Sequence, residues 1–167
     1  SVTIGNAAPT IASATLSNAA PKVHDPPITV VLVGASDPDG DPLTFAYKWF
    51  VDGVQKGTGA TLSPALARPG QAITCQVTPF DGTASGNTVS TPSVVADDTP
   101  PDIVSVTLSP PFAGTTDAIH ATVSASDPDG DVLTLSYVWM VDGVTIVDAT
   151  GDTLPALTAR RGQIVRG

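Results

Sequence analysis

Hydrophobic and polar residues alternate along much of this chain, the period of a half-buried strand. Phe45, Tyr47 and Trp49 share one face in this way, and Tyr137 and Trp139 repeat the arrangement. Runs rich in Val and Thr, bounded by Gly, Pro, Asn and Asp, predict strands over 11–17, 28–35, 43–51, 54–56, 61–63, 73–78 and 87–96. Asp52-Gly53 is a strong signal for a tight hairpin, and Asp81-Gly82 is expected to turn the last one.

The pattern is written twice. Residues 35–54 align with 125–144 at an offset of 90, and fifteen of the twenty are identical. Leu62 then matches Leu154 and Gly70-Gln71 matches Gly162-Gln163, at an offset of 92. Upstream, Pro9 and Ile11 match Pro101 and Ile103. A period near 90 residues fits β-sandwich domains strung in tandem. The expected organisation is therefore a last strand and linker of a preceding repeat over 1–8, a domain over 9–96, a proline-stiffened linker over 97–100, and a second domain over 101–167. Gly167 aligns with Cys75, so the second domain is expected to be truncated, without its last strands. Ser1 to Ile4 resembles Ser93 to Ala96, the last strand of the first unit.

Composition narrows the class. All sixteen acidic residues are Asp, a residue of turns and caps, and Glu, a residue of helix interiors, is missing. With fifteen Gly and sixteen Pro, this predicts an all-β chain. A net charge of −9 against only seven Lys and Arg argues against nucleic acid and against anionic membrane surfaces. It suits a surface that recruits cations. The single cysteine, Cys75, permits no intrachain disulfide and is expected to be a small buried apolar residue. No apolar run reaches the roughly 18 residues of a membrane span, so no membrane insertion is expected.

The most distinctive chemistry is ASDPDGDPLT at 35–44, which returns as ASDPDGDVLT at 125–134. Asp37, Asp39 and Asp41, and again Asp127, Asp129 and Asp131, occupy every second position. Close carboxylates repel by about 1 kcal/mol per pair even in water, and a turn needs one Asp rather than three. Hard cations such as Ca²⁺ take six to eight oxygen ligands, which alternate Asp residues in a loop supply. The spacing is not that of an EF-hand, because the Gly falls fourth and no Glu closes the shell. Further ligands would come from Asp81, Asp97, Asp98 or main-chain carbonyls. Asp97 and Asp98, with Asp102, also form a candidate cation site of their own between the domains. The alternative is that Asp37 and Asp127 cap a tight turn and the linker acids are simply solvated.

The phrases ASDPDGDPLTFAYKWFVDGV, VTPFDGTASG and APTIASATLS resemble the tandem Ig-like, cadherin-like and PKD-like repeats of large bacterial surface and secreted proteins. The resemblance covers nearly the whole chain. It implies tandem Ig-like β-sandwich domains, an extracellular or cell-surface location, and a role as stalk, spacer or adhesive module, often with Ca²⁺ at Asp-rich turns. The partners it implies are neighbouring repeats, copies of the same chain, or a surface glycan or protein receptor.

Catalysis finds little support. His24 and His120 have no Ser or Cys partner at a recognisable spacing, and no phosphate loop, zinc spacing or nucleophile elbow is present. A non-enzymatic structural or adhesive repeat is the leading expectation. An accessory carbohydrate-binding module is the alternative; it would need exposed aromatics, for which only Phe80 and Phe112 are spare. A third is a filament subunit completed by strand exchange, which follows from the phase of the repeat.

Overall fold

Alternation makes the strands, and pairing decides which of them persist. In the computed structural model, which describes residues 1–167, the chain divides into two compact units, Ser1–Thr99 and Pro100–Gly167. Both are built of strands, with one short 3₁₀ turn at Pro64–Leu66 and no α-helix.

In the first unit, β1 (Ser13–Leu16), β2 (Ile28–Val33) and β5 (Thr61–Leu62) form one antiparallel sheet in the order β1-β2-β5. The other holds β3 (Thr44–Val51), β4 (Val54–Gly57), β6 (Ala72–Phe80), β7 (Val89–Ser90) and β8 (Val94–Val95), with β4-β3-β6 in order and both β7 and β8 on the far edge of β6. The turn between β3 and β4 carries positive φ at both Asp52 and Gly53, 47° and 76°. That is the type I′ geometry for which Asp-Gly is suited, because it matches strand twist.

Each sheet turns one face inward. Ile28 and Leu62 from the first sheet meet Trp49, Val51, Ile73, Cys75 and Val77 from the second in one buried cluster, the packing of a β-sandwich. Along β6 every second residue, Ile73, Cys75, Val77 and Pro79, is buried. Trp49 is completely buried and its indole N–H donates to the Gly59 carbonyl at 2.9 Å. Burying a side chain of its size removes roughly 200 Å² from water, worth about 5 kcal/mol at the usual coefficient for apolar area. The Cys75 thiol is fully buried and unpaired, and burial raises its pKa from 9.0 to about 11.

The strand expected over 87–96 is two short pieces. Between them Pro92 has no N–H to offer, and Thr91 takes over part of the ladder. The Thr91 hydroxyl accepts the Cys75 N–H at 3.0 Å, and the Thr91 N–H donates to the Cys75 carbonyl. Residues 1–8 contain no strand. Asn6 and Ala7 are instead tied by hydrogen bonds into the first unit.

In the second unit, β9 (Asp102–Ser109), β10 (Ile119–Ser126) and β13 (Thr153–Leu154) form a sheet in the order β13-β10-β9. A second sheet has β12 (Val144–Ile146), β11 (Trp139–Val141) and β14 (Val165–Arg166) in the order β12-β11-β14. Trp139 and Leu154 are fully buried in its smaller core, and the Trp139 indole N–H donates to Gly151 at 2.9 Å, as Trp49 does to Gly59. Gly167 lies against the indole: a Cβ there would come 3.2 Å from the ring.

One strand pattern of this unit is not a strand. Residues 134–138 repeat the pattern of 44–48, yet β11 begins only at Trp139. In the first unit 44–48 pair with 76–80. No residue of 101–167 pairs with 134–138, and an extended segment without ladder partners is not a strand. Ile103 is 65% exposed, where its counterpart Ile11 is 2% exposed and its N–H donates to Asn87 Oδ1.

Candidate functional site

The Asp triplets sit in the loops after β2 and β10, and both loops are built alike. Asp37 Oδ1 accepts the N–H groups of Asp39 at 2.8 Å and Asp41 at 3.3 Å. Asp127 Oδ1 accepts those of Asp129 at 2.8 Å and Asp131 at 3.1 Å. Gly40 N–H donates to the Asp37 carbonyl, and Gly130 N–H to that of Asp127. Gly40 and Gly130 have φ of 82° and 81°, a conformation that penalises residues with a Cβ. The first Asp of each triplet therefore does organise its own turn, as the plainer reading expected.

That role uses one oxygen only. Asp37 Oδ2 is shielded from solvent and has no hydrogen-bond partner. A shielded, unpartnered carboxylate oxygen is costly unless a cation or proton meets it. Asp39 Oδ2 accepts the Ala7 N–H at 2.6 Å, and Asp41 is exposed. The donor set fits a hard cation in its chemistry, since every available atom is oxygen. It is not a preassembled shell: no three His, Cys or Asp side chains converge closely enough to hold a metal ion.

The remaining acids fall at opposite ends of the first unit. Thr44 pairs with Phe80 at the start of β3, so Asp81 lies at the same end as the Asp37–Asp41 loop. Val51 pairs with Ile73, and Ile73 with Val94, so Asp97 and Asp98 lie beyond the other end of β3. Seven steps of about 3.3 Å put roughly 23 Å between these ends. One ion cannot bind the first triplet together with Asp97 or Asp98. The Asp97 carboxylate lies 3.6 Å from Lys22 Nζ, and the Asp97 N–H donates to Pro21. Asp98 is exposed. In the second unit Asp102 pairs with Ser126 at the edge of the sheet, beside Asp127.

Asp81 has a larger structural part than its turn position suggested. Its Oδ1 accepts the N–H groups of Thr83 and Ala84 at 2.7 and 2.6 Å, and its Oδ2 accepts Asn6 Nδ2 at 2.9 Å. The Ala84 N–H, followed by the Asn6 amide, holds its carboxyl below the usual carboxylate range. It thereby fastens the entering chain to the last hairpin, across 75 residues of sequence.

A second hydrogen-bond network is also built twice. Asp52 Oδ1 accepts the Ala72 N–H at 2.8 Å, and Oδ2 accepts Gln71 Nε2 at 2.8 Å. Gln71 Oε1 in turn accepts the Arg68 N–H. Asp142, Ile164, Gln163 and Arg160 repeat every bond. The only sequence signal was the doubled Gly-Gln, which matched without showing what the Gln does.

No protein-family model matches the chain, and neither a curated protein nor a solved structure shows a match to it.

Proposed function

We propose that this chain is a non-enzymatic structural and adhesive tandem repeat of an extracellular bacterial protein. In this reading its units are Ig-like domains of a stalk or fibre, stiffened by Ca²⁺ at the Asp loops. One observation carries it: the chain builds the same three-carboxylate loop twice, with matching hydrogen bonds, and leaves Asp37 Oδ2 shielded and unpartnered. A ligand shell would draw on Asp37, Asp39 and Asp41 in one unit. In the other it would draw on Asp127, Asp129 and Asp131, with Asp102 at the edge of the loop. Bound Ca²⁺ would supply charge neutralisation and cross-link the loop to the strands. The carbohydrate-module alternative rests on Phe80 and Phe112, 39% and 93% exposed, one in each unit; it is the weaker reading because Trp49 and Trp139 are buried and no row of exposed aromatics forms within a unit.

Thermal unfolding in Ca²⁺, in Mg²⁺ and in chelator at one ionic strength tests the cation. A cation that binds only the folded state, at a hundred times its dissociation constant, adds about 2.7 kcal/mol. A rise specific to Ca²⁺, and lost in an Asp37→Asn, Asp127→Asn variant, supports the reading. Identical melting in all three conditions removes Ca²⁺ from it.

A further inference from the structure

The chain enters the first unit at one end and leaves it at the other. Asn6 and Ala7 are bonded to Asp81 and Asp39 at the end where β3 starts, and Val94–Val95 run out past Ile73 and Ala72 at the end where β3 stops. β7 and β8 are antiparallel to β6, so they run from the entry end to the exit end. The approach to β1 starts beside the Asp37 loop, where Thr10 bridges Ser36, and β1 runs the same way. Tension applied across the unit therefore draws the entering strand towards the entry end and the leaving strand towards the exit end. The two are driven past each other in opposite directions, and bonds between them are loaded together rather than in turn.

One side chain joins these two strands. Asn87 lies just before β7, and its amide takes both backbone groups of Ile11: Oδ1 accepts the Ile11 N–H at 2.8 Å, and Nδ2 donates to the Ile11 carbonyl at 2.9 Å. A neighbouring strand residue would make this pair of bonds; here a side chain makes it between two sheets. Ile11 is buried, so water has little access to compete for them. The contact beside the amide is backbone against backbone. Pro9 is fully buried, and a Cβ on Gly86 would stand 1.8 Å from the Pro9 carbonyl oxygen. On the other side the entering chain is held by β2 and its end, Thr10 by Ser36 and Ala12 by Val33. Asn87 thus ties the start of the entering strand to the head of the leaving one. If the entering strand slides out, both amide bonds break; if the leaving strand slides out, they break as well.

We propose that Asn87 is the mechanical cross-tie of the first unit: its amide passes tension from the entering strand to the leaving strand in shear and sets the force at which the unit opens. Its use to the protein rests on the stalk reading, in which the unit is pulled from its two ends; the tie itself needs no cation. Forced unfolding is governed by the unfolding rate, and a bond on the path of the load acts on that rate directly. Asp52, whose bonds to Ala72 and Gln71 join the β3–β4 turn to β6, lies off that path. The two sites therefore separate resistance to force from stability.

Single-molecule force spectroscopy of the full chain, held by its two ends, tests this; opening of the first unit is recognised by its longer gain in length. The measurement is made in chelator, so its result is independent of whether the Asp loops hold Ca²⁺. Asn87→Ala is expected to lower the opening force and to raise the unfolding rate extrapolated to zero force roughly 30-fold, the loss of two hydrogen bonds. Asn87→Asp keeps the acceptor for the Ile11 N–H and loses the donor, and is expected to fall between. Asp52→Ala is expected to lower Tm and leave the opening force near that of the wild type. Should the Asn87 variants not fold, pulling geometry tests the unaltered tie. His24 and Asp98 are exposed and lie at the exit end, beside the Lys22–Asp97 pair. With handles on the thiols of a His24→Cys, Asp98→Cys variant, the strands are peeled apart rather than sheared, and the first unit is expected to open at a clearly lower force than when held by its ends. An opening force unchanged in Asn87→Ala, a drop matched by Asp52→Ala, or equal forces in the two geometries overturns the proposal.

Discussion

Replacing Asp52 by Ala should destabilise the first unit by about 3 kcal/mol, even though Asp52 is exposed. Its carboxylate accepts two hydrogen bonds at 2.8 Å, from the Ala72 amide and the Gln71 side chain. Bonds to charged groups contribute roughly 1.5–3 kcal/mol when shielded; solvent at this turn reduces each to about 1 kcal/mol. The remaining ~1 kcal/mol is backbone, because φ at Asp52 is 47° and Asp tolerates that region better than Ala. Asp52→Gly relieves the backbone and loses the bonds, so it should cost about 2 kcal/mol. Asp52→Asn keeps the backbone tolerance and one acceptor oxygen, and should cost about 1 kcal/mol. The assay is thermal unfolding followed by tryptophan fluorescence in a Trp139→Phe background, where Trp49 alone reports. In a domain of this size 1 kcal/mol moves Tm by about 4–8 °C, so the Ala variant should melt roughly 12–24 °C lower. If Ala were no more harmful than Asn, the turn network would not be holding the hairpin to β6, and the reasoning would fail.

Other consequences are equally direct. Asp81 is held below the usual carboxylate range by the Ala84 amide and Asn6. Its contribution is therefore present above the ordinary Asp pKa and lost as pH falls through the lowered one; acid unfolding profiles of wild type and Asp81→Asn should converge at low pH and separate above it. A Cβ on Gly86 would stand 1.8 Å from the Pro9 carbonyl oxygen. Gly86→Ala should therefore cost the first unit at least the roughly 1–3 kcal/mol of an overpacked core, while the transition of the second unit stays unmoved in calorimetry. The Cys75 thiol, buried and pushed up to about 11, should resist alkylation at neutral pH until the first unit unfolds; rapid labelling of the folded chain would contradict its placement.

Much of the fold is legible locally. The alternation at 28–33, 44–51 and 72–80 marks strands that pairing then confirms, and Asp52-Gly53 marks their hairpin. What fails is non-local. The alternation of 134–138 does not by itself make a strand, because no residue of 101–167 pairs with it. Pro92 interrupts the strand expected over 87–96, and Thr91 repairs the gap with its side chain, which a β propensity does not encode. At the candidate site, the doubling of the triplets is legible, and so is the turn-organising part of Asp37. The division of labour between its two oxygens is not, because it depends on which atom faces the loop amides. The grouping of Asp97 and Asp98 with the first triplet also dissolves once strand register puts them at opposite ends of β3.

The claim that the twice-written loop is a cation site is tested most directly by counting ions. Calorimetric titration of the chain with Ca²⁺ at constant ionic strength should give two sites per chain. Asp37→Asn and Asp127→Asn should each remove one site, and together both. Absence of binding heat, or a stoichiometry unchanged by both substitutions together, would contradict the account and leave the triplets as turn-forming residues alone.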